Sequence, residues 1–408
     1  MLKQRVIVNS VMKRFILHAA LLVCCKVGQA QVQVSERLEV SGFARIVGGY
    51  LDTDLASYEG YHDSFSLSEQ SLLGLQAEFS VTDKLTLVAQ GLLHSGEERD
   101  SGIEWLYLNF EPSQHVQLKA GKLRTPFFNY SDVLDVGFAY PWITPPQQTY
   151  SSFLFSTYEG VSATLRFPLE YFSASLEGYY GTFEDELLLT GTRVYTDIKR
   201  LNGLVLNLQG ANLNFRGSYH QTSDLDVNFA ELGDLENIIR GAGFERTADS
   251  LAFDAGVQVF QLSASYNDLS YFGSVEWMRI ATDVLLSPEV DSYYITAGFH
   301  YYPFQFYATF ANSDISYRAG VNEIPVRLVP ELDQLRGAYD FLLDARPVDN
   351  LESLSFGARW DISASLAMKF EWTALNGNRG ERSFYETIER ADFSRNANLY
   401  QVALEWVF

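Results

Sequence analysis

The chain has 408 residues, of which 30 are basic and 51 acidic, giving a net charge of −21, and 14% of it is aromatic, mostly Phe and Tyr. So acidic a chain excludes nucleic acid as a partner, and apolar periodicity from end to end excludes disorder. The two cysteines, Cys24 and Cys25, lie close to the amino terminus, so the remainder offers neither a disulfide framework nor a thiolate metal site, and no cofactor or metal is expected.

Lys3, Arg5, Lys13 and Arg14 precede an apolar run from Phe15 to Cys25, and Gly28-Gln29-Ala30 supplies a small-residue cleavage site before Gln31. This predicts a secretory signal peptide over residues 1–30, with Met12 as an alternative start. Val23 and Cys24 stand before the two cysteines where a lipoprotein site needs a small residue, so no lipid anchor is expected. Without the leader's five cations the rest, residues 31–408, carries 25 basic against 51 acidic side chains. Beyond the leader no stretch of about 18 apolar residues exists, so a membrane-spanning helix is excluded on length.

A strand that crosses a bilayer needs about 9 to 11 residues, and lipid offers no hydrogen bonds, so such strands must close into a barrel. Segments with period-two alternation recur along the chain. Glu36 to Tyr50 sets Leu38, Val40, Ala44 and Ile46 against Glu39, Ser41 and Arg45. Ser64 to Val81 turns at Thr82-Asp83 into Lys84 to Ser95. Gly102 to Glu111 pairs with His115 to Arg124, Thr157 to Phe167 with Tyr171 to Phe183, and Arg193 to Leu208 with Ala211 to Gln221. Ser250 to Leu262 leads to Ser270 to Asp283, Asp291 to Tyr301 to Phe304 to Ala311, and Leu351 to Trp360 to Ser365 to Leu375. Asn398 to Phe408 makes sixteen, with Tyr400, Val402, Leu404, Trp406 and Phe408 on one face.

Connections alternate in length. Even-to-odd connections are mostly two to four residues, whereas odd-to-even ones are longer: Leu51 to Asp63, Gly96 to Ser101, Thr125 to Ser156, Glu184 to Thr192, Thr222 to Asp249, Val284 to Val290, Asn312 to Asn350 and Asn376 to Asn398. Short turns at one rim and long loops at the other predict an all-β transmembrane antiparallel barrel of sixteen strands, with short periplasmic turns and long extracellular loops. A soluble sandwich or propeller predicts no such alternation. Aromatics cluster at the short turns, at Phe110, Phe167, Tyr171, Phe172, Tyr301, Tyr302, Phe304, Trp360, Trp406 and Phe408, as a membrane-interface girdle would. Two loops carry helical spacing, through Phe229, Leu232, Leu235, Ile238 and Ile239, and from Pro330 through Leu332, Leu335, Phe341 and Leu342.

The phase opposite the apolar one should face the lumen. It offers Arg45, Lys119, Arg166, Arg216, Arg359 and Lys369 together with Glu39, Glu177, Glu276, Glu371 and Glu405, a wall of mixed sign. Much of the acidic excess falls in loops, as at Glu97, Glu98 and Asp100, or Glu184, Asp185 and Glu186, where it reads as solvated charge bridged to lipopolysaccharide by divalent ions. Enzymatic chemistry finds little support, because His62, His94, His115, His220 and His300 are scattered among separate segments and no P-loop or dinucleotide fingerprint occurs.

The aromatic ending, with Tyr400, Trp406 and Phe408, resembles the terminal strand of Gram-negative outer-membrane barrels, which implies recognition by the barrel-assembly machinery. GKLRTPFFNYSDVLDVGFAYPWITPPQQTY, Gly121 to Tyr150, with four prolines, is similar to the corresponding stretch of porin-like proteins of marine gammaproteobacteria, related to the phosphate-selective and dicarboxylate porin groups. In sixteen-stranded porins the third loop folds inward and narrows the pore, so the resemblance implies a constriction formed by residues 125–156. Asp132 and Asp135 would be its acidic members, with Lys122 and Arg124 at its base. It further implies an outer-membrane homotrimer passing small polar solutes by passive diffusion. An anion-preferring channel for phosphate or dicarboxylates is the alternative, and a barrel enzyme or surface-interaction protein is the alternative of another class.

Overall fold

Alternating side chains give a strand two faces of opposite character, and a closed sheet places all of one face outside. The computed structural model describes residues 32–96, 101–151, 155–189, 192–227, 230–251, 256–326 and 329–408. The leader, Glu97, Glu98, Asp100 and Phe229 lie outside the described residues. Sixteen strands form the wall: β1 (Leu38–Leu51), β2 (Leu72–Thr82), β3 (Leu85–His94), β4 (Gly102–Ser113), β5 (Val116–Arg124), β6 (Thr157–Pro168), β7 (Ser173–Leu189) and β8 (Thr192–Gln209), followed by β9 (Leu213–Thr222), β10 (Val257–Asn267), β11 (Tyr271–Thr282), β12 (Glu289–Tyr301), β13 (Phe304–Ser316), β14 (Leu351–Ser363), β15 (Leu366–Gly377) and β16 (Asn396–Val407).

Each strand pairs antiparallel with the next, and β16 returns to β1 with Phe43 opposite Val407 and Leu51 opposite Leu399. Phe408 extends this seam, exchanging backbone hydrogen bonds with Gly42 at 2.9 and 2.7 Å. Its ring lies over Gly42, where any side chain would collide with it. The outward face is an apolar belt, as Leu106, Leu108 and Phe110 on β4, Leu262 on β10 and Phe356 on β14 show, all exposed. Water would not tolerate so continuous an apolar exterior, whereas lipid does. At the short-turn rim Phe110, Phe167, Tyr171, Tyr301, Tyr302 and Trp360 are exposed as a girdle requires, while Trp406 is covered.

Three boundaries depart furthest from the sequence expectation. Residues 64–71 belong to the first long loop, where Ser66 bonds back to Gly49, and the second strand begins at Leu72. The tenth strand begins at Val257 and not at Ser250, which follows a helix over Glu245–Asp249. The acidic run at Glu184 is strand and not loop: β7 and β8 stay paired beyond it, with Glu184 opposite Asp197 and Glu186 opposite Tyr195. Charge signalled a loop there, but backbone pairing is indifferent to charge once a hairpin has risen above the apolar belt.

At the long-loop end, α1 (Gln147–Tyr150) lies in the third loop, and α2 (Ala230–Gly241), α3 (Glu245–Asp249) and α4 (Pro330–Asp344) lie in the fifth and seventh. Pro330, Glu331 and Asp333 suit the first turn of α4, since a helix start needs no amide from Pro and favours acids. Ile239, Ala248, Leu251, Leu285, Ile324 and Tyr339 pack the fifth, sixth and seventh loops into one apolar lobe. Loops one and eight join by a small ladder between Ala56–Ser57 and Thr387–Ile388, over Tyr58, Tyr61, Tyr385 and Phe393.

Candidate functional site

A loop buried inside a barrel brings backbone amides and carbonyls that need partners, and in the third loop the prolines at 126, 141, 145 and 146 prevent a long regular helix from supplying them. The loop contains two single 3-10 turns, Ser131–Val133 and Gly137–Ala139, and then the one-turn α1. Its remaining polar groups are taken up by charged side chains of the wall.

Cations serve the carbonyls. Lys369 on β15, fully buried, donates to the carbonyls of Gly137, Tyr140 and Trp142 at 2.7, 2.8 and 2.6 Å, and pairs with Glu405 of β16 at 2.8 Å. Arg359 on β14 donates to the Phe138 carbonyl at 2.7 Å, and Arg45 on β1 reaches the Ile143 carbonyl and the Tyr140 hydroxyl, each at 3.4 Å. Arg216 on β9 holds the carbonyls of Pro126 and Phe127. Carboxylates serve the amides and hydroxyls. Glu276 on β11 accepts from the Asn129 amide at 2.8 Å and the Tyr150 hydroxyl at 2.7 Å, and Glu371 on β15 accepts from the Ile143 amide at 3.4 Å. The Trp142 indole donates to Thr309 at 2.8 Å, and Gln148 donates to Ser353 at 2.8 Å.

Apolar contacts complete the attachment. Phe127, Phe128, Tyr140, Trp142 and Tyr150 of the loop share a cluster with Tyr179, Met278, Tyr294 and Tyr307 of the wall. Each such side chain removed from water contributes about 1.5–3 kcal/mol. Burial raises the hydroxyl pKa of Tyr140 and of Tyr150 well above the tyrosine value, and Glu276 adds to the effect at Tyr150, so both remain donors. At Gly137 the loop passes so close to β16 that an added Cβ would fall on the Glu405 carboxylate.

The predicted site residues divide by place. Arg124 and Asp135 meet at the loop's root at 3.0 Å, where Arg124 also holds Glu104 and the Ser131 carbonyl. Arg45, Arg216 and Arg359 project inward, each 8% exposed, against loop carbonyls and not into open lumen. Asp132 is exposed on the loop's free side. Lys119 faces inward over the Tyr107 ring at 5.5 Å, and both Lys119 and Asp132 lie within electrostatic reach of Glu177. Arg166 stands apart near the short turns, bonded to Gln117 at 2.8 Å and 3.8 Å from Glu111. Lys122 does not belong to the lumen: it sits opposite Leu106 and Glu159 on the outward phase and donates to the Ile103 carbonyl. The left-handed Gly121 beside it, with φ +138°, stands at this point of the strand.

Sequence reasoning placed Lys369, Glu276, Glu371 and Glu405 on the inward phase but did not assign them a task. A buried carbonyl's need for a donor cannot be seen until the loop's path is known. Among the described residues no cluster of His, Cys, Asp and Glu is suited to a metal ion. His220 is buried between Tyr179 and Ser218, 2.8 Å from each hydroxyl.

No protein-family model matches the sequence, and no curated protein is significantly similar to it. Solved structures do match. OmpF of Salmonella typhi, in complex with daunomycin, aligns at TM-score 0.55 over 93% of this chain and 100% of its own, with 10% identity. The anion-selective porin of Comamonas acidovorans gives 0.53 over 91% and 99%, with 11% identity. In-vitro folded OmpT of Vibrio cholerae, an outer membrane protein in a trimer form, gives 0.53 over 91% and 99%, with 12% identity.

The chain has the porin fold. At identities near a tenth the likeness speaks for architecture alone. Within that architecture this porin fold fastens its third loop by polar contacts along an arc from β9 round to β16 and β1, while on β5 to β7 the loop rests on Arg124 at its root and on the rings of Tyr158, Tyr179 and Phe183.

Proposed function

We propose that the chain is an outer-membrane porin through which small hydrophilic solutes and ions diffuse passively, with the third loop, residues 125–156, as its constriction. The observation that carries this reading is the fixed loop inside a closed barrel whose inner wall keeps polar side chains at Asn109, Lys119 and Glu177. Size exclusion follows from how far the loop reaches, and electrostatic bias follows from the charges that still meet water. No group transfer is involved. The reading includes export by the leader, insertion through the carboxy-terminal strand with Tyr400, Trp406 and Phe408, lipopolysaccharide contact at the long-loop rim and assembly as a homotrimer, the form in which one matched structure was solved.

The test is liposome swelling with the purified full-length protein. Neutral sugars should enter at rates that fall steeply with size, and vesicles that carry folded protein yet stay impermeable to all of them would refute the reading. An anion channel for phosphate or dicarboxylates would draw on the lumen arginines, and the burial of Arg45, Arg216 and Arg359 against the loop weighs against it.

A further inference from the structure

The porin reading leaves open which ions the passage favours, and the division of labour among the inward charges bears on it. Five inward cations, Arg45, Arg124, Arg216, Arg359 and Lys369, are occupied with the loop or its root. The carboxylates that accompany them, Glu104, Asp135, Glu276, Asp361, Glu371 and Glu405, are of similar number. The fastening set is therefore close to neutral, and its charges are spent at short range in low-dielectric surroundings.

What remains is unequal. Arg166 and Glu111 offset each other near the short turns. Among the described inward-facing cations, Lys119 alone then holds neither the loop nor a carboxylate within ion-pair distance, and it lies over the Tyr107 ring. Facing the same space are Glu39 and Glu78, directly opposite one another on β1 and β2, Glu177 on β7, and the exposed Asp132 of the loop. At the long-loop end Glu59, Glu69 and Glu386 line a crevice between loops one, two, three and eight. Around Lys119 one sign prevails on the inner wall. Walls of low dielectric concentrate that field.

We infer that this channel selects small cations over anions, because its basic residues serve as clamps for the third loop's carbonyls while Asp132 stays exposed and the half-buried Glu177 lies within its electrostatic reach, opposed by Lys119. The inference rests on the porin reading. Its consequence is directional: inward-phase arginines, which by count suggest anion preference, contribute little to selectivity, and two carboxylates and one lysine set it.

The experiment is the reversal potential of the purified full-length protein in planar bilayers under a potassium chloride gradient at moderate ionic strength, where screening is incomplete. Wild type should show the cation sign. The double variant Asp132→Asn with Glu177→Gln should move the potential toward zero, and Lys119→Gln should move it further to the cation side. Among the described residues Asp132 makes no hydrogen bond or ion pair and Lys119 no ion pair, so each can be neutralised with the fold intact, and heat-modifiable mobility on gels checks each variant. An anion sign in the wild type, or a potential unmoved by both variants, overturns the inference while conductance keeps the channel reading alive. Absence of conductance from folded wild-type protein overturns both. A potential that follows neutralisation of Asp392, an acid of the eighth loop 2.7 Å from Arg390, and ignores the lumen variants places selectivity at the mouth and also overturns it.

Discussion

Lys369 shows how one side chain holds a loop in place. Its ammonium donates to three loop carbonyls and faces Glu405. Replacing it with Met strands a buried carboxylate as well as three acceptors, and removing one partner of a buried pair costs about 3–5 kcal/mol. Lys369→Met should therefore raise the protease sensitivity of residues 125–156 and lower the barrel's melting temperature, whereas a purely cosmetic role leaves both unchanged. Gly137→Ala tests the same junction sterically, because its Cβ would occupy the space of the Glu405 carboxylate. We expect noisier and larger conductance from that variant as the loop lifts from β16. The alternation in KFEW revealed that Lys369 and Glu371 face inward. That they serve the loop could not be read, since loop and strand are about 230 residues apart in sequence, as the Lys369 to Gly137 bond illustrates.

Elements were legible wherever two faces differ in polarity. The terminal strand was plain from Tyr400 to Phe408, and its pairing with β1 gives the closing seam. Phe408 packs on Gly42, so Gly42→Val and Phe408→Ala should each reduce the yield of heat-modifiable barrel in the membrane fraction. Equal yields would mean that the seam closes without this contact. The errors fell where polarity misled. Ser64 to Ser71 alternates enough to imitate strand, yet Ser66, Ser68 and Glu69 satisfy each other as a loop turn. The acids of β7 imitated loop because side-chain charge was weighed above backbone pairing. Both loop helices followed their apolar spacing, while α3 escaped because five residues give too short a period to detect.

For the whole molecule, the governing fact is a belt of apolar side chains facing outward. Leu262, at mid-strand on β10 and 59% exposed, would be a harmless site for charge on a protein surrounded by water. In a bilayer the same site should resist it: Leu262→Arg should destabilise the barrel by about 2–4 kcal/mol in denaturant titrations from lipid vesicles. A neutral effect would mean that the belt is not in lipid. The sixteen-strand closure and the two rims were legible because strand length and turn length are written locally. The path of the third loop across the lumen was implied by resemblance, and its fastening from β9 round to β1 emerged only with the fold.

The central claim is that the closed barrel, with its third loop clamped to one side, encloses a continuous water path. Single-channel recording of the purified wild-type protein in a planar bilayer tests this most directly. Discrete, long-lived conductance steps that stay open at low voltage are expected. Folded, membrane-inserted protein that gives no steps at any voltage would contradict it.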